Sequence, residues 1–198
     1  MTTESTAVTP ARVDWRRPEF VLTLLGFAGF VTLPVRISKI YSGLPAHPLF
    51  VHVPVVLIPL SVLGALVLVA RPAWWDRFGV LLCLGAIVAM SSIFLTMQAG
   101  AALEAAEHLT HDALISQHSH YAHLLAYAFV PFTAVAILTF ASHRISTGMP
   151  TGLAVVDGPL GSRAIHLGLR VVLVLLALLS AYLVFRVGDL GAQSVWLH

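Results

Sequence analysis

Four apolar runs, at about residues 48–70, 78–97, 121–141 and 164–187, each approach the roughly 20 residues that a helix needs to cross a bilayer. In lipid only helices and closed barrels satisfy their own backbone, so runs of this length restrict the chain to a helical membrane bundle. The composition agrees. Only 10% of the 198 residues are charged and 58% are hydrophobic, whereas a water-soluble domain carries about 25% charged residues. The expected fold class is all-α, an integral membrane bundle with four core transmembrane helices plus an N-terminal fifth. That fifth run, at about 20–40, is weaker, because Pro34, Arg36 and Lys39 fall in its last third. It either spans or lies in the interface.

The chain then divides into a disordered tail over 1–18, an N-terminal transmembrane or interfacial helix over 19–42, and a four-helix membrane domain over 43–198. Residues 146–161, with four glycines and two prolines, read as a loop between the last two spans. Charge bias sets the topology. Arg12, Arg16 and Arg17 precede the first run, Arg71 and Arg77 flank a turn, and Arg144, Arg163 and Arg170 surround the last connection. By the positive-inside rule these lie on the cytoplasmic side of the membrane, with the N-terminus in and the C-terminus out. Trp74, Trp75 and Trp196 sit at run ends, where amphipathic rings anchor to headgroups. The net charge of +2, with no dense basic stretch, gives nucleic acid nothing to bind. The lipid bilayer is the partner. Cys83 is the only cysteine, so no thiolate cluster or disulfide framework exists.

Histidine carries the chemistry. His47 and His52 open the second run, and His108, His111, His118, His120 and His123 lie between the third and fourth. Both stretches are expected on the outer face. Imidazole is the commonest metal ligand and an axial ligand of haem. Pro54 and Pro59 each release a carbonyl one turn back; either a bent helix tips His47 and His52 toward the bundle axis, or His52 is an interfacial histidine beside ordinary transmembrane prolines. The stretch of about 101–118 reads as an outer His/Glu-rich helix, or as an extension of the preceding span. It places Glu104, Glu107, His111 and His118 on one stripe if the helix is unbroken. Glu107-His108-x-x-His111 lacks the spacing of the H-E-x-x-H zinc proteases. His143 and His166, at the other end, could in principle hold a second haem between the last two helices, but His143 beside Arg144 in a basic turn reads better as a headgroup contact.

Gly43-Leu44-Pro45-Ala46-His47-Pro48, running into Val51-His52-x-Pro54, resembles the H-P-x-x-V-H-x-P opening of a family of predicted bacterial integral membrane proteins, domain of unknown function 2231. Gly188-Asp189-Leu190-Gly191-Ala192-Gln193-Ser194-Val195-Trp196 is similar to that family's closing G-H-S-G-A-x-x-V-W segment. The resemblance covers about 43–196. It implies an outer acidic helix and, through relatives joined to Rieske-type domains, a link to electron transfer. This chain carries Asp189 where the family has histidine. Aspartate ligates zinc, iron or manganese but is not a usual haem ligand.

The leading expectation is a redox membrane subunit. Its outer histidines would bind haem b or a transition metal (Fe, Cu or Zn) and pass electrons between a quinone and an iron–sulfur partner. His52, His118 and His123 are the cofactor candidates. His47, His52, His111, His118 and Asp189 are the metal candidates, with Glu104 and Glu107 behind them. Any enzymatic role would be that of an oxidoreductase subunit. A metal-ion transport component, with Met90 and Met97 as soft ligands, is one alternative. A cofactor-free structural or assembly subunit is the other.

Overall fold

The computed structural model describes residues 16–31, 34–35, 37–39, 43–108 and 113–196. Among these, the apolar runs become α2 (His47–Phe50) with α3 (His52–Ala70), α4 (Trp75–Ala106), α5 (Ala113–Ser146) and α7 (Arg163–Trp196). A short α1 (Pro18–Phe30) precedes them, and α6 (Ala154–Leu160) lies in the connection before α7. Four stretches, His47–Ala70, Pro72–Ala106, Ala113–Ser146 and Arg163–Ser194, are long and apolar enough to cross a membrane. The proposed tail falls mostly on residues outside the described set, and the first helix starts at Pro18.

The four long helices run up and down in a closed ring, each packed on its chain neighbours, with α3 closing against α7. Phe129, Phe132, Phe140, Ile58 and Leu173 fill the centre. The outward faces of α3 and α7 stay apolar, with Leu63, Leu175 and Phe185 largely uncovered. A belt of this kind is stable only in hydrocarbon.

α1 does not complete a crossing as a helix. Its 13 residues span about 20 Å at 1.5 Å each, against a hydrocarbon core of about 30 Å. The helix stops at Phe30, before Pro34, which disfavours helical backbone in the residue ahead of it. α1 packs on α4 and α5. Its start is clipped where α5 ends: Glu19 pairs with Arg144, and Arg17 donates to the carbonyls of Met149 and Pro150. Its end meets Phe94, edge-on to Phe30. The chain then bridges Lys39 to Pro45 and enters α2 at the opposite end of the bundle.

Two further readings are corrected. The outer helix over 101–118 is not one unbroken element. α4 continues to Ala106, and the chain turns at Glu107 and at His108, whose φ of 57° ends the helix. α5 starts afresh at Ala113. Glu104 and His118 therefore belong to separate helices, with the turn at His108 between them, and His111 lies outside the described residues. The loop over 146–161 also contains α6. There Asp157 accepts hydrogen bonds from the Thr151 hydroxyl and from the amides of Thr151 and Gly152.

Slight desolvation of Asp157 opposes its ionisation. The hydrogen bonds, with Arg17 nearby, outweigh that and hold the carboxyl below its ordinary value. A depressed folded pKa contributes stability above the unfolded value, which is lost as pH falls through the folded one. Amide exchange at Thr151 and Gly152 is therefore expected to quicken, beyond the intrinsic trend, below about pH 4. In Asp157→Asn that step should vanish.

Candidate cofactor site at the histidine end

α2 and α5 both begin at the end of the bundle away from Arg71, Arg144, Arg163 and Arg170, and each brings a histidine inward. His47 reaches across to α4, where its Nδ1 lies 3.0 Å from the carbonyl oxygen of Thr96. His118 reaches across to α7, where its Nδ1 lies 3.0 Å from the carbonyl oxygen of Val187. A carbonyl only accepts, so in each neutral ring the proton sits on Nδ1 and the Nε2 lone pair is left free. A ring fixed through one nitrogen in this way is the usual setting of a metal-binding imidazole.

The same local device seats both rings. Four residues beyond each carbonyl stands a glycine, Gly100 after Thr96 and Gly191 after Val187. A Cβ on Gly100 would lie 3.0 Å from His47 Nδ1, and one on Gly191 would lie 3.2 Å from His118 Cε1. The missing side chain opens the helix wall to the imidazole. Sequence reasoning placed Gly191 in the closing motif without a role and passed over Gly100. Their signal, a glycine one turn after an accepting carbonyl, becomes visible only once the helices are paired.

The two rings stand with centroids 6.3 Å apart and planes at 88°. Two imidazoles sharing an ion through bonds of about 2.0–2.1 Å have centroids at most about 6.4 Å apart, and about 5 Å apart at two corners of a tetrahedron. The observed spacing lies at the upper end of what two imidazoles on one ion would allow. Beside the pair, the Thr96 hydroxyl is buried with no hydrogen-bond partner, a polar atom left over at the site.

The remaining candidates sit elsewhere. His52 is exposed, with Nδ1 3.3 Å from the carbonyl of Leu49. His123 is likewise exposed and engages the carbonyl of Ser119 in its own helix at 2.8 Å. The tilt of His52 toward the axis is thus not what the backbone produces; only His47 turns inward. Asp189 pairs with Arg186 at 3.7 Å, and that guanidinium lies over the Tyr121 ring at 5.1 Å. Glu104 lies in the last turns of α4 and Glu107 at its cap. Among the described residues no three His, Cys, Asp or Glu side chains stand close enough to share an ion. The site is a pair.

The arginine end is knitted differently. His143 is buried, not a headgroup contact: its Nε2 lies 3.0 Å from Asp76 and its ring lies beside Trp75. His166 Nδ1 lies 2.9 Å from Ser142 Oγ, which itself donates to the carbonyl of Leu160. These bonds tie α4, α5 and α7 together.

No curated protein and no solved structure gives a significant match to the chain. A family model of predicted membrane proteins, domain of unknown function 2231, matches residues 43–198. The match takes in α2 to α7, both seated histidines and both glycines, and leaves α1 outside. The chain belongs to this family of predicted membrane proteins.

Proposed function

We propose that the histidine end faces outward from a bacterial cytoplasmic membrane and holds a redox cofactor between His47 and His118. The cofactor is a transition-metal ion or haem b, and the protein serves as an electron-transfer subunit between a quinone and an external iron–sulfur partner. The carrying observation is that two imidazoles, from chain segments 71 residues apart in number, each lose Nδ1 to a carbonyl and keep Nε2 free. His52, His123 and Asp189 are then accessory groups at the rim. The chain's own contribution is to fix ring orientation, exclude lipid and set the local dielectric around the bound group.

Detergent-purified protein is expected to contain stoichiometric metal by elemental analysis, with a Soret band if the group is haem. His47→Ala and His118→Ala should each lower that content by about tenfold or more, while His52→Ala and His123→Ala leave it within about twofold. Colourless, metal-free protein, or full retention in both of the first two variants, sinks the reading. A second reading has one observation in its favour: each hydrogen bond joins two helices, His47 to α4 and His118 to α7. Under it the pair is a structural bracket, and substitution lowers the melting temperature of a protein that never held a cofactor.

A further inference from the structure

Where α3 ends and α7 begins, at the arginine end, the two helices part and leave a groove open to the bilayer. Val69 of α3 and Leu167, Val171, Val174 and Leu175 of α7 form its apolar walls, and Arg170 lies among them. Arg170 stands seven residues into α7, about 10 Å along the helix from Arg163. Its Nε is buried and has no hydrogen-bond partner. The ion pairs among the described residues are His143–Asp76, Arg144–Glu19 and Arg186–Asp189, so none of these carboxylates serves Arg170. His166, one turn earlier, is engaged with Ser142, and Arg71 and Arg163 add positive charge at the same end. A guanidinium set in an apolar groove, with a donor unused, calls for an anion that carries its own hydrocarbon.

We propose that this groove binds an anionic phospholipid, with its phosphate on Arg170 and one acyl chain along the wall of Leu167, Val171 and Leu175. Phosphate oxygens accept from the guanidinium fork in pairs, and the net negative headgroup matches the charge of Arg170. A zwitterionic lipid offers the same hydrocarbon but no net charge. Free phosphate offers the charge but leaves the apolar wall bare. The proposal is independent of the cofactor at the other end.

The test is native mass spectrometry of the full chain released from detergent, titrated with dioleoyl phosphatidylglycerol or dioleoyl phosphatidylcholine. The wild type should retain the anionic lipid about tenfold more strongly, the scale of a charge-assisted hydrogen-bonded contact. Arg170→Gln should fall to the level of the zwitterionic lipid, and Arg163→Gln should stay within about twofold of wild type. Leu175→Trp, which fills the wall and keeps the charge, should also lose retention, so the result does not hang on one variant's folding. Equal retention of the two lipids, undiminished binding by Arg170→Gln, or displacement by inorganic phosphate would overturn the proposal. So would a dimer that occupies the groove in place of lipid.

Discussion

Arg144→Ala is expected to lower stability by about 3–5 kcal/mol, because it strips the partner from a buried carboxylate. Glu19 is 4% exposed and pairs with Arg144 across the α1–α5 contact. Its second oxygen, Oε2, already has no hydrogen-bond partner. Arg144 also lies over the Phe140 ring at 5.8 Å, so truncation removes packing as well as charge. Glu19→Gln should be milder, since it leaves a neutral amide in the same place. The double variant Glu19→Leu/Arg144→Met should recover most of the loss, because apolar replacement of a buried pair is often neutral. Thermal melts in detergent would measure all three. An Arg144→Ala protein that melts with the wild type would show that this pair does not hold α1.

Phe129→Ala should rank next, for a different reason. Phe129 is fully buried and stacks on Phe132 at 4.9 Å. In a soluble core its loss would combine a transfer term with a cavity term. Here the surrounding lipid is as apolar as the core, so the transfer term largely drops out and packing remains. Removing about 100 Å³ of side chain at about 24 cal/mol per Å³ gives roughly 2–2.5 kcal/mol. Phe185 has the same side chain but is 69% exposed on the outer face of α7. Phe185→Ala should cost less than about 0.5 kcal/mol in the same assay. Equal costs for the two would mean that burial in this bundle does not depend on packing density.

The spans and the meeting of the two histidine stretches at one end were legible because both follow from run length and parity of crossings. Which histidine turns inward was not. The membrane helices are apolar on nearly all sides, so no polar stripe reveals their rotational phase. His52 and His123 therefore looked as eligible as His47 and His118, and only packing separates them. His143 looked like a surface group beside Arg144, since its partner Asp76 is 67 positions away. The stripe over 101–118 failed at a backbone event, the left-handed turn at His108, which periodicity does not register. The weak fifth run contributes α1, which ends at Phe30 ahead of Pro34.

The clip between Glu19 and Arg144 has a consequence for biosynthesis. The ribosome delivers the carboxylate 125 residues ahead of its guanidinium. Until α4 and α5 are inserted, a helix too short to span waits at the bilayer edge with an unmatched acid. α1 is thus synthesised before the hairpin that supplies its partner, and expression should be sensitive to anything that delays that hairpin.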